Sequence, residues 1–259
     1  MLHYRTFQAH STDPWVTFVH GAGGSSSIWF SQLRAFAPHF NLLLIDLRGH
    51  GQSKEHLQRA KLPSYTFNAI SEEVVEVLDH LGIKSSHFVG ISLGTIIVRE
   101  IAERHPDRVH RLVLGGAILK LNFRSRLLMK AGVIFRWVVP YILLYKVFAC
   151  VILPRRNHRE SRLLFVREAR KLYQKEFIRW FRLAAQLKPL LHQYRQRITC
   201  HPTLYIMGSE DHMFLPSIQE LTRHHPELTR LQVVPRCGHV VNVEQPQIFN
   251  RRVLAFLRE

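Results

Sequence analysis

The sequence predicts an α/β fold, a mostly parallel sheet flanked by helices and interrupted by one helical insertion. Three observations carry that reading. Short apolar runs alternate with helix-compatible stretches through most of the chain, the pattern that parallel strands joined by crossover helices require. Glycine-containing segments follow several of the apolar runs, at the strand ends where open α/β sheets hold ligands. At 259 residues and 46% hydrophobic, the chain can bury a large core, and its composition excludes disorder.

Taken in order, an initial strand is expected near residues 2–7, then strands at 15–19, 41–45, 87–89, 111–114, 203–207 and 231–234. Asn41-Leu42-Leu43-Leu44-Ile45 is apolar without alternation, as a strand covered on both faces must be. Helices are expected at 67–81, 93–104, 216–224 and 246–257. Pro246 suits a first helical turn, where its missing N–H is not needed. The alternation stops between residues 118 and 197, which read as several helices without a strand. The expected division is therefore a core of residues 1–117 and 198–259, with a helical cap at 118–197. No internal repeat or low-complexity segment is apparent.

The formal net charge of +17 is unevenly placed. Residues 118–197 hold 19 Lys/Arg against Glu160, Glu168 and Glu176, a net +16, and the rest of the chain sums to +1. Three cysteines, Cys150, Cys200 and Cys237, argue against a disulfide framework and suit a reducing compartment. No Cys/His group has zinc-ligand spacing, so no metal is expected. Residues 1–15 contain no long apolar run, so no signal peptide is expected, and the cytoplasm is the expected location.

The chemistry concentrates in Gly90-Ile91-Ser92-Leu93-Gly94. A G-x-S-x-G pentapeptide between an apolar run and a helical run places a serine on a tight strand-to-helix turn. A serine hydroxyl is a weak nucleophile and needs a base, and its tetrahedral intermediate needs oxyanion donors. His20-Gly21-Ala22-Gly23-Gly24-Ser25, after the 15–19 strand, can turn backbone N–H groups toward such an oxyanion. Gly208-Ser209-Glu210-Asp211 offers two carboxylates, of which Asp211 is preferred over Glu210 to orient a histidine. Cys237-Gly238-His239 places a candidate base after the last strand. Among 17 histidines, His239 is singled out by that position and by the chain order Ser92, Asp211, His239.

With Asp46-Leu47-Arg48-Gly49-His50-Gly51-Gln52-Ser53, and with Glu244 and Pro246 after Gly238-His239, these motifs resemble the α/β-hydrolase fold family, in its serine esterase-like branch with a helical cap. The resemblance runs from about residue 15 to 257, excluding much of the cap. It implies an eight-stranded-type sheet, Ser92 as nucleophile, His239 as base and Asp211 as orienting acid. It implies oxyanion donors at the N–H groups of Ala22 and Leu93, with Gly23 as the alternative to Ala22. It also implies no cofactor and no metal. Serine at the nucleophile position argues against the dehalogenase and epoxide hydrolase activities of relatives that carry aspartate there. The expected reaction is hydrolysis of a small-molecule carboxylic ester with a short to medium acyl chain. Thioester hydrolysis and carbon–carbon bond hydrolysis use the same three groups. A ligand-binding protein without turnover is the reading of another class. Trp29, Phe30, Ile91, Met213 and Val240 are candidate pocket residues by adjacency to the motifs.

Two features invite other readings. Gly21-Ala22-Gly23-Gly24-Ser25-Ser26 approaches a dinucleotide fingerprint with Asp46 as its acidic residue, but Ser26 replaces the last glycine. Asp46 is expected instead to cap or brace the loop. Residues 127–153 are apolar and long enough to span a bilayer, yet Lys130, Arg136, Pro140 and Lys146 interrupt them. Two cap helices packed over the serine are the preferred reading, and docking on an anionic membrane surface is the alternative. Tyr173, Phe177, Trp180 and Phe181 recur at helical spacing, which favours a packed helix face over a nucleic-acid surface. Oligomeric state is not legible.

Overall fold

The computed structural model describes residues 1–8, 10, 12–54, 65–121, 127, 132, 134, 139–185 and 187–259. Its centre is a sheet of strands β1 (Tyr4–Phe7), β2 (Trp15–Val19), β3 (Asn41–Ile45), β4 (Ser86–Ile91), β5 (Val109–Gly115), β6 (Thr203–Gly208) and β7 (Thr229–Val234). The strand order is β1-β3-β2-β4-β5-β6-β7. Only the β1–β3 pair is antiparallel, so the sheet is mostly parallel as expected. Seven strands are present among the described residues. The eight-stranded expectation came from the family resemblance alone.

The period of two along each strand divides the core. Leu43, Ile45, Phe88 and Leu114 join one buried cluster, packed against helices α2 (Phe67–His80) and α3 (Leu93–Arg104). Leu42, Leu44, Val89 and Val113 join the other, packed against α1 (Phe30–Phe36) and the C-terminal helix Pro246–Leu257. All five residues of β3 and all six of β4 are buried. This is why those runs show no polar alternation. Helix α2 starts at Thr66, whose hydroxyl accepts the Ala69 N–H at 3.1 Å. Pro246 occupies the first turn of its helix, as its lack of an N–H favours.

Between β5 and β6 the described residues form α4 (Tyr141–Ile152), α5 (Arg159–Ala169), α6 (Gln174–Ala185) and α7 (Leu187–Gln196), and no strand. Residues 128–131, 133 and 135–138 of the apolar stretch lie outside the description, so the two-helix reading is met only by α4 there. No described helix is long and apolar enough to cross a membrane. Leu144, Tyr145, Phe177 and Phe181 form this segment's own small core. Trp180, Leu187, Leu191 and Tyr194 extend the main core. The segment's end is fixed by Arg99 of α3. Its guanidinium donates to the carbonyl of Tyr194 at 3.0 Å and to that of Arg197, and lies 4.3 Å from the centre of the Tyr194 ring. Helix α8 (Leu215–His224) and the short α9 (Val241–Glu244) precede the C-terminal helix, α10 (Pro246–Leu257).

Candidate active site

Parallel strands bring their carboxyl ends to one edge of the sheet. The loops after β2, β3, β4, β6 and β7 therefore meet over Ser92, although they are far apart in sequence. Ser92 sits at φ 52 and ψ −121, a conformation that L-residues rarely adopt, between the end of β4 and the first turn of α3. The turn closes because position 94 lacks a Cβ. One added there would meet the carbonyl oxygens of Val19 and His20, the latter at 2.6 Å.

Ser92 Oγ lies 2.8 Å from His239 Nε2, and His239 Nδ1 lies 2.8 Å from Asp211 Oδ2. With Nδ1–H donated to the carboxylate, Nε2 is free to accept the serine proton. Both partners of that hydrogen bond are buried, His239 at 3% and Asp211 at 1% exposure, so it lies in a medium where its electrostatic effect is little screened by water. The other Asp211 oxygen accepts the Phe214 N–H at 3.2 Å. Glu210 is engaged elsewhere. It receives hydrogen bonds from the Asn157 amide, His158 and Arg155 at 2.9, 2.8 and 2.6 Å, which hold its carboxyl below the ordinary range. The choice between the two acids is thus decided by direction. Asp211 faces the histidine, and Glu210 faces the helical segment.

The His239 loop is held from below by Glu244. Its buried carboxylate accepts the N–H groups of Gly238 at 2.8 Å and Val240 at 3.0 Å, one on each side of the histidine. Such charge-assisted bonds are stronger than neutral ones and fix the backbone that carries the ring.

The N–H groups of Ala22 and Leu93 are without a hydrogen-bond partner among the described residues, and both residues border the same cavity as Ser92. The Gly23 N–H is taken, donating to His50 Nε2 at 2.8 Å. Two buried histidines tie the β2 and β3 loops together. His20 donates from Nδ1 to the Gly21 carbonyl at 2.7 Å and accepts the Leu47 N–H at 3.0 Å. His50 donates from Nδ1 to the Arg48 carbonyl at 3.0 Å while accepting from Gly23. Each ring must be neutral to accept an amide proton, and burial enforces this. Desolvation lowers both pKa values from 6.5, that of His50 to about 3.

Asp46 accepts the N–H of Ser26 at 2.7 Å and of Gln52 at 3.0 Å. Burial opposes its charge, but those amides outweigh burial and hold its pKa below normal. It braces the glycine loop. The loop itself runs into the short 3₁₀ turn Ser26–Trp29, and a Cβ at position 23 would strike the Tyr145 hydroxyl, so the loop is packed from above by a side chain. This is not the open, helix-capped loop that a dinucleotide requires.

A cavity of about 170 Å³ opens beside Ser92. The core contributes Leu93, Met213 and Phe214, and the helical segment contributes Tyr145, Phe177, Trp180 and Phe181 among others. No charged side chain lines it among the described residues. A smaller chamber of about 40 Å³ lies on the side of His239, bordered by Ile91, Val240, Val243 and Phe165, with the Glu168 carboxylate at its edge. Of the five pocket candidates, Met213, Ile91 and Val240 thus border the two chambers, whereas Trp29 and Phe30 do not. Trp29 is fully buried in the core beneath α1, its ring 4.9 Å from that of Phe18. Phe30 is 46% exposed on the outer surface, under the Arg5 guanidinium. Both follow the glycine loop in sequence, but the 3₁₀ turn carries them away from it.

The structure adds residues that adjacency did not suggest. Tyr145 of α4 donates its hydroxyl to the Ala22 carbonyl at 2.7 Å. Trp180 of α6 donates its indole N–H to the Arg48 carbonyl at 2.9 Å and stands edge-on to His50. Ser25 donates to Glu168 of α5 at 2.9 Å. Nothing in the local sequence marks these contacts, since each bridges more than 120 residues. The only available signal was the placement of Trp180 on the buried stripe of a helix. Among the described residues no group of His, Cys, Asp and Glu can hold a metal ion.

The comparisons with known proteins agree with this fold. The family model described as the alpha/beta hydrolase fold matches residues 14–142. The chain is 31% identical to the dihydrolipoyllysine-residue acetyltransferase component of the acetoin cleaving system of Pseudomonas putida, over 94% of this chain and 63% of that protein. It is 25% identical to 3-oxoadipate enol-lactonase 2 of Acinetobacter baylyi, over 99% of this chain and 93% of that protein. The crystal structure of a hydrolase from Pseudomonas aeruginosa PA01 superposes with a TM-score of 0.81 at 26% identity, covering 98% of this chain and 93% of that one. The chain belongs to the α/β-hydrolase fold family. Hydrolase is the class of enzyme that the family model, the lactonase and the Pseudomonas aeruginosa structure support.

Proposed function

We propose that the protein hydrolyses neutral, apolar carboxylic esters through an acyl-enzyme on Ser92. The observation that carries this reading is the continuous chain of 2.8 Å contacts from Ser92 to His239 to Asp211 at the mouth of an apolar cavity. In the first half-reaction, His239 Nε2 takes the Ser92 proton as Oγ attacks the ester carbonyl. The N–H groups of Ala22 and Leu93 receive the developing oxyanion, and Asp211 stabilises the imidazolium. His239 then protonates the leaving alcohol, and the acyl group remains on Ser92. Water deprotonated by His239 releases the acid in the second half.

The two chambers divide the substrate. The leaving oxygen must come within reach of His239, so the small chamber beside it takes the alcohol. The larger aromatic chamber takes a short to medium acyl chain. On this reading residues 118–197 form a cap whose inner faces supply the acyl wall. The absence of charged side chains from the larger chamber, among the residues described, favours neutral acyl groups over ones that carry a carboxylate. A p-nitrophenyl ester chain-length series, with Ser92→Ala as control, tests the proposal. Turnover that peaks at a short to medium chain and vanishes in Ser92→Ala is expected. Equal hydrolysis by Ser92→Ala overturns the mechanism.

A further inference from the structure

We propose that the outer face of α4 and α5 docks on an anionic membrane surface. Among the described residues, nine large hydrophobic side chains are strongly exposed, and six of them (Leu127, Ile134, Leu143, Val147, Leu163 and Tyr173) fall within residues 118–197. That segment also carries almost all of the chain's net positive charge. Exposed apolar side chains and unbalanced cations on one surface are the combination that a lipid headgroup layer accepts.

The helical geometry makes the surface continuous. On α4, positions 143, 146, 147 and 150 share one outward stripe, which reads Leu, Lys, Val, Cys. A helix facing water is expected to be polar there. Across a groove of about 550 Å³ stands α5, with Arg159, Arg162, Leu163 and Arg170. Among the described residues no carboxylate borders that groove. Of the segment's three acids, Glu168 and Glu176 are buried, which leaves Glu160 as the acid on the surface. The nearby aromatic rings do not serve a nucleic acid, because Tyr145, Phe148 and Phe165 turn inward to line the acyl chamber. The same two helices therefore present lipid-compatible side chains outward and chamber walls inward. A docked molecule would hold its apolar chamber against the phase in which apolar esters dissolve.

Co-sedimentation of the full chain with vesicles tests this. The probes are phosphatidylcholine alone and phosphatidylcholine mixed with phosphatidylglycerol, across a salt series. Binding to the anionic vesicles at low salt, falling as salt rises, is expected. The triple reversal Lys146→Glu, Arg159→Glu, Arg170→Glu should weaken it by about a hundredfold or more, since each cation near such a surface contributes roughly fivefold. Leu143→Ser with Val147→Ser should weaken vesicle binding about tenfold and leave any binding to an RNA homopolymer unchanged. Reversal of Arg34 and Arg251, on α1 and α10 and outside the groove between α4 and α5, should have little effect. Three results overturn the proposal: no binding to anionic vesicles at low salt, equal weakening by the Arg34/Arg251 reversal, or vesicle binding that does not respond to the serine pair. Circular dichroism and melting temperature establish that each variant is folded. Binding does not depend on turnover, so this proposal and the ester-hydrolysis proposal can fail separately.

Discussion

The sheet edge and the helical segment over it are built on different principles. At the sheet edge the side chains around the serine turn are paired with partners that fix their direction. Glu244 clamps both sides of His239, two neutral histidines tie the β2 and β3 loops, and Asp46 braces the glycine loop. The helical segment meets that edge through a few long-range hydrogen bonds and a set of aromatic faces, and its outer surface is basic and apolar. Chemistry needs atoms held within a few tenths of an ångström, which directional bonds provide. Selecting an apolar substrate needs only shape and dryness, which packing provides. On the proposed reaction, one half can therefore serve many esters while the other decides which.

The sharpest way to break this division is to remove a group from the sheet edge. Ser92→Ala should lower kcat at least 10⁴-fold with an unchanged melting temperature. Residual esterase activity above that level in purified protein would place the chemistry elsewhere. Glu244→Gln comes next. An amide cannot accept both flanking N–H groups with full charge, so kcat should fall roughly a hundredfold through misplacement of His239 while KM changes little. A larger change in KM than in kcat would show that Glu244 acts on the pocket instead. Phe181→Ala, in the helical segment, should do the opposite. It should raise kcat/KM for longer acyl chains relative to short ones by about tenfold, because it lengthens the chamber. An unaltered chain-length profile would remove α6 from the acyl wall.

Acid titration tests the two neutral histidines. Their pKa values are lowered on folding, that of His50 from 6.5 to about 3, so the unfolded chain binds more protons between those values. Stability is then intact above pH 6.5 and is lost as pH falls below it, by up to about 1.4 kcal/mol per pH unit for each proton taken up. His50→Gln should flatten that slope in urea unfolding at pH 5 relative to pH 7. An unchanged slope would mean that His50 is not held neutral. The smallest effect is expected of Tyr145→Phe. It deletes one hydroxyl that steadies Ala22, a loss of about 1 kcal/mol, and kcat should fall a few-fold. A change larger than that of Glu244→Gln would mean that the helical segment helps to position the reacting groups.

Much of the site was legible because its signals are local. Gly94 and Ser92 mark one tight turn, and the apolar runs β3 and β4 are complete within five and six residues. The preference for Asp211 over Glu210 was open in the sequence and was closed only by which way each carboxylate points. Trp29 and Phe30 misled because neighbours in sequence diverge within one 3₁₀ turn. Tyr145, Trp180 and Glu168 were invisible as partners of the sheet-edge loops because their contacts cross a long insertion.

By itself the sequence determined a mostly parallel sheet, the turn that carries Ser92, the chain order of the candidate residues Ser92, Asp211 and His239, and the segment that holds the net charge. All of these follow from backbone periodicity and from turn chemistry spanning a few residues. Only the tertiary structure decided which Ala22-loop amide is left unbonded, which aromatic rings wall the acyl chamber and which residues of α4 face outward. Those depend on how distant helices settle against the sheet, a matter of shape and mutual burial that no short stretch of sequence encodes.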